Sequence, residues 1–166
     1  MSSMIIMSRS FLLSALKSNA PGLLIGIACF LVLVPLNVVL PSNIGWLGVG
    51  GDSRTYYLGW DFFRRSDWSW PISSNPLYGL EISGSVFMTD TVPLLAILLK
   101  TLRGVLPDVF QYHGAWLFFC FAMQGAAAWK LSGLITENYI NRILICALFV
   151  FQIPFISRAT VHLPLM

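Results

Sequence analysis

Read for its alternation of apolar and polar positions, the chain divides into long apolar runs separated by one extended mixed segment. Gly22 to Leu40 carries no charged residue. About 19 residues rising about 1.5 Å each cover a hydrocarbon core of roughly 30 Å, so the run predicts a first transmembrane helix. A signal peptide is the competing pattern, but its apolar region spans only about 7 to 15 residues before an A-x-A type cleavage site. No such site follows here, and the run reads as an anchor. Val109 to Trp129, ending at Lys130, and Ile140 to Ile156, closed by Ser157 and Arg158, predict a second and a third span. Both are near the minimum spanning length of about 17 residues.

Between the first two spans, residues 41–108 mix charge, aromatics and glycine. The apolar stretch "PLLAILLKTLRGVLP", Pro93 to Pro107, has only about 13 residues between its prolines, too few to cross a bilayer. On a helical wheel Leu94, Leu95, Leu98, Leu102, Val105 and Leu106 share one broad face, and Ala96, Lys100, Arg103 and Gly104 the other, as in a helix lying in the membrane interface. A second helix is predicted from Ser53 to about Arg65, with Gly59 its one weak former. The expected organisation is therefore an all-α polytopic membrane protein with these parts: a cytoplasmic N-terminus 1–21, span 22–40, outer loop 41–108 with interfacial helices near 53–65 and 93–106, span 109–130, cytoplasmic link 131–139, span 140–157 and an outer end segment 158–166.

Composition supports the membrane class, since 57% of residues are hydrophobic and only 10% charged, against roughly a quarter charged in soluble domains. The net charge of +3 is scattered, without the basic stripe of a nucleic-acid surface, so nucleic acid is not an expected partner. Cys29, Cys120 and Cys146 sit apart inside apolar runs and read as packing residues. Arg9 and Lys17 precede the first span, and Lys130 and Arg142 bracket the link between the second and third. By the positive-inside rule the N-terminus and that link are cytoplasmic, and residues 41–108 lie outside.

The outer segment opens with "GVGGDSRTYYLGWDFFRRSDWSWP". Asp52 follows three glycines in four residues, where backbone can approach another molecule closely. Tyr56, Gly59, Trp60 and Phe63 fall on the same side of the predicted helix and would form an apolar wall beside one carboxylate. Asp52 is equally suited to cap that helix, and a carboxylate can cap and still react. Asp61 and Asp67 have Arg64 or Arg65 nearby and read as ordinary charge pairs. Asp90, just before Pro93, suits the N-terminus of the second interfacial helix as well as it suits a functional role. The many Trp and Tyr residues of the loop fit an interfacial aromatic belt.

Three blocks, "GDSRTYYLGWDFFRRSDWSWP", "TDTVPLLAILLK" and "LPDVFQYHGAWLFFCFAMQG", together resemble an uncharacterised bacterial subfamily of GT-C-type integral-membrane glycosyltransferases, in which W-x-FFR, acidic-x-x-PL and LP-x-x-FQY-x-G-x-W elements recur in this order. The resemblance runs from Pro35 onward and implies the first third of such an enzyme, inactive by itself, in the bacterial inner membrane. It implies transfer of a sugar from a polyprenyl-phosphate carrier to an acceptor at the outer face, with the acidic residue of the first outer loop falling on Asp52. A carboxylate there would take the acceptor's proton, inverting the anomeric centre as lipid phosphate leaves. The leaving phosphate needs cationic donors, for which Arg54, Arg64, Arg158 and His162 are candidates. Tyr56 and Trp60 would line the site, and Asp90 would assist or hold a divalent cation, magnesium or manganese, which only some members need. Partners implied are membrane lipid, the sugar donor, and further C-terminal helices or another membrane subunit. Two other function classes stay open at this point: a lipid-linked sugar transporter or flippase, and a small assembly protein or truncated product without catalysis.

Overall fold

A computed structural model describes residues 2–48, 51–79, 84–89, 91–161 and 163, with the side chains of 2–17, 51, 52, 160 and 161 outside the description. Its regular structure is helical: α1 (Ser2–Leu33), α2 (Gly51–Arg65), α3 (Pro93–Lys100), α4 (His113–Ile135), α5 (Tyr139–Val150) and α6 (Ile153–Val161), with short 3-10 turns at Leu36–Val39, Gly45–Gly48 and Val86–Thr89. Among the described residues there is no strand, only an isolated bridge between Ser74 and Ser85. The all-α expectation holds.

The spans differ in detail from those expected. Helix α1 stops at Leu33, because Pro35 disfavours helical backbone at the residue before it, and the chain continues into the 3-10 turn. The run after Ile140 is not one rod: α5 and α6 are bent from each other by 46°, with Pro154 in the first turn of α6, where a missing N–H is tolerated. Among the described residues α4 is long and apolar enough to cross a membrane, and the bent pair adds a second span if it counts as one.

The molecule divides into two compact units, residues 1–35 with 118–155, and residues 36–117 with 156–166. In the first, α1 and α4 touch through glycine. A Cβ on Gly22 would sit 2.4 Å from the Gly125 carbonyl oxygen, one on Gly26 would sit 2.2 Å from that of Phe121, and one on Gly125 2.1 Å from that of Gly22. Close backbone approach of this kind is how helices associate where apolar burial gives no advantage over lipid. The Phe30 ring then reaches Phe118 and Phe121 edge-on, at 5.2 and 5.8 Å between centroids. The Cys146 thiol donates to the Gly125 carbonyl at 3.3 Å, and all three cysteines are buried and free, as packing residues. Helix α5 is capped by Asn138, whose side chain accepts from Asn141 N at 3.1 Å. Arg142 stacks 4.0 Å above the Trp129 ring and donates to its carbonyl.

The second unit is built on α2 and α3. Trp60, Phe63, Val86, Val92, Ala96 and Tyr112 form its core. Gly59 is required where α2 passes the 3-10 turn at Val86–Thr89, since a Cβ there would lie 2.2 Å from the Thr89 hydroxyl. Buried Asn75 donates to the Gly59 carbonyl at 3.0 Å. Gln111 closes the unit: its backbone N–H donates to Pro41, its amide N–H to the carbonyls of Val38 and Leu40, and its side-chain oxygen accepts from Gly114 N. That last bond caps an N–H that α4 cannot satisfy internally.

Candidate functional site

Helix α2 begins at Gly51, so Asp52 stands in its first turn, where backbone N–H groups and the positive end of the helix dipole meet a carboxylate. Its side chain lies outside the description. One and two turns along the same face, Tyr56 and Trp60 are buried, as is Phe63. Trp60 donates its indole N–H to the Phe110 carbonyl at 2.9 Å and meets Tyr112 edge-on at 5.1 Å. Tyr56, Trp60 and Phe63 are thus packed as the interior of the unit.

Arg54 is exposed and donates to the Gly48 carbonyl at 3.2 Å; it lines a small cleft with Ile44, Leu47, Tyr57 and Leu58. Arg64 is buried and committed to protein partners: Asp61 at 3.0 Å, the Pro107 carbonyl at 2.8 Å, and the Asp108 carbonyl. Arg65 adds the expected i,i+4 pair with Asp61, at 3.1 Å. Arg158 is exposed on α6. Asp90 and His162 lie outside the described residues. The position before α3 is taken by Val92, at φ 50° and without a side-chain cap, a left-handed conformation that a β-branched residue rarely adopts.

Two further polar groups sit inside this unit. The ammonium of Lys100 lies 4.0 Å over the Phe63 ring and 4.6 Å over Trp68, and donates to the Ser66 hydroxyl at 3.0 Å and the Asp67 carbonyl at 3.3 Å. Burial, helped by nearby Arg103 and opposed by Asp67, pushes its pKa down to about 8. His113, the first residue of α4, is completely buried and stacks on Tyr112 at 4.5 Å and on Tyr56 at 6.2 Å. Neither ring nitrogen has a hydrogen-bond partner, an uncommon state for a buried polar group. The Tyr112 hydroxyl donates to the Thr91 carbonyl, and burial raises its pKa well above that of an ordinary phenol. Among the described residues no cluster of three His, Cys, Asp or Glu could hold a metal ion. Asp90, the carboxylate implied for a divalent cation, is outside them.

The family described as a domain of unknown function, DUF6311, matches residues 23–166. The chain belongs to the DUF6311 family. No curated protein and no solved structure matches it. The DUF6311 match spans both units, including every candidate residue. In the sequence Gln111 and His113 stand inside the apolar run from Val109 to Trp129, and Lys100 stands on the helix face opposite the leucines. The one local signal for Gln111 is its position just ahead of a helix that needs capping; nothing local indicates that His113 is buried or which side of α3 faces the protein.

Proposed function

We propose that this DUF6311 chain is part of a membrane-embedded glycosyltransferase of GT-C type, which moves a sugar from a polyprenyl-phosphate carrier to an acceptor hydroxyl at the outer face. The observation that carries the reading is the place of Asp52. It occupies the first turn of an amphipathic helix that follows the first apolar helix, on the face shared with buried Tyr56 and Trp60.

In that setting the carboxylate accepts the acceptor's proton as its oxygen attacks the anomeric carbon; the bond to the lipid phosphate breaks and the configuration inverts. Arg54, two residues on and exposed, is the first candidate to meet the phosphate leaving group, with Arg158 and His162 as further candidates. Arg64 is different: its N–H groups hold Asp61 and two carbonyls, so its part is to fix the end of α2. Any divalent cation would be held by Asp90, and no step here is routed through it.

The bent α5–α6 pair is the feature a transporter would call upon. No charged residue stands between Arg142 and Arg158, whereas an ion or proton pathway needs ionisable groups at that depth. The test is Asp52→Asn in the full-length protein, assayed in membranes for transfer of labelled sugar from polyprenyl phosphate. A loss of about 10²- to 10⁴-fold with unchanged expression is expected for removal of a general base. Undiminished transfer would sink the assignment.

A further inference from the structure

The side of α3 that faces away from the protein is the apolar one. Leu94, Leu98, Leu102 and Val105 are 77, 58, 49 and 82% exposed, and the helical turns continue past Lys100 through i,i+3 bonds, so the four form one continuous ridge. The opposite side carries Ala96 and Lys100, both buried. A helix packed on a water-soluble domain keeps its outer side polar; in this one Leu95, Ile97 and Leu99 pack against the core, yet the lysine is also turned inward and Leu94 and Leu98 are turned out. A ridge of this kind needs an apolar neighbour.

Next to the ridge, Arg64, Arg65, Arg103, Leu106, Pro107 and Asp108 line an open cleft. Arg65 and Arg103 keep 51 and 38% of their side chains exposed. Arg103 donates to the Ser66 carbonyl at 2.5 Å and reaches Asp67 at 3.8 Å. The cleft's lining carries three arginines, Arg64, Arg65 and Arg103, and one aspartate, Asp108; Asp61 and Asp67 pair with those arginines beside it. The planar guanidinium fork matches phosphate oxygens in pairs.

We propose that this cleft binds the phosphate of an anionic lipid whose chains lie along the Leu94–Val105 ridge. The ridge alone suits a lipid tail or another helix equally; the arginines at its end select the ligand that joins a phosphate to an apolar tail. The inference rests on the membrane reading of the chain and not on sugar transfer.

The test uses the full-length protein in dodecylmaltoside, titrated with dihexanoyl-phosphatidylglycerol, inorganic phosphate or dihexanoylglycerol, and read by the thermal unfolding midpoint. The expected result is a saturable upward shift with the phospholipid and a far smaller one with either half alone. The double variant Arg65→Gln/Arg103→Gln should bind about tenfold more weakly or worse, the scale of a charge-assisted contact. Because those arginines also bond to the protein, Leu94→Ser/Leu98→Ser serves as the second variant; both side chains point outward, so the fold is expected to persist while lipid binding falls. An equal shift with inorganic phosphate would reduce the cleft to a plain anion site, and an equal shift with dihexanoylglycerol would leave the arginines no role. Either overturns the proposal, as does no shift at all, or self-association abolished by the ridge variant. Asp52→Asn should bind the lipid normally, so failure of the transferase reading and failure of this one are told apart.

Discussion

Lys100 shows what one residue can do to the pH behaviour of the whole. Its folded-state pKa, about 8, is below the ordinary lysine value of 10.5 because charge is costly among Phe63, Trp68 and the buried side of α3. Below pH 8 the ammonium is charged in both states and the folded protein bears that cost. Between pH 8 and 10.5 the unfolded chain binds the proton and the folded one does not, so stability rises with pH. Tyr112 and Tyr57 act oppositely: their raised pKa values make the unfolded chain ionise first, so their contribution falls above pH 10. The thermal midpoint in detergent is therefore expected to climb from pH 8 to about 10 and then decline. Lys100→Met, close in volume and uncharged, should flatten the climb and leave the decline. A wild-type midpoint that falls steadily from pH 8 would contradict the assignment. The helical wheel gave Lys100 its correct side of α3 relative to the leucines, but a wheel has no knowledge of what lies beyond the helix. Only the partner α2, with Ser66 and two aromatic rings in place, made that side the inner one.

At the level of elements, the contact between α1 and α4 depends on what glycine leaves out. Replacing Gly26 with Val would drive two methyl groups into the Phe121 carbonyl, against which even a Cβ lies at 2.2 Å. The expected loss is about 1–3 kcal/mol or more, from forced separation of packed helices. The same change at Gly104, which has no neighbour within 4 Å of a Cβ, is expected to leave the thermal midpoint near wild type. If both variants behave alike, the seam is not close-packed. Helix existence and type were legible from periodicity and apolar runs: α2 starts two residues before its expected place, α3 starts at Pro93 as expected but ends at Lys100 rather than 106, and α4 runs 113–135 against an expected 109–130. The seam was not, since Gly22, Gly26 and Gly125 acquire meaning only as neighbours in space. The bend after Val150 was also hidden, because Gln152 and Pro154 interrupt a run whose hydropathy hardly changes.

For the molecule as a whole, the distribution of Lys and Arg makes a claim about sidedness. Alkaline phosphatase fused after Asp67 should be active, and fused after Lys130 inactive, if residues 41–108 lie outside and the link between α4 and α5 inside. Activity after Lys130 would place Asp52 on the cytoplasmic side and remove the basis for transfer at the outer face. Spacing alone put Tyr56, Trp60 and Phe63 on one side of α2, where they are buried, and it paired Asp61 with Arg65 correctly. It could not show that Arg64 is occupied by the carbonyls of Pro107 and Asp108, partners more than forty positions away.

The amide of Gln111 gives residues 41–110 a property of their own. Because one side chain holds Val38, Leu40 and Gly114, and its backbone holds Pro41, the chain leaves and returns at a single knot. Everything between is a loop drawn shut at one point, as by a drawstring. Loop-closure entropy grows only slowly with length, so with that point tied, exposed stretches of the loop such as the one around Gly104, where an added Cβ meets nothing within 4 Å, can lengthen or shorten with little effect on the tie.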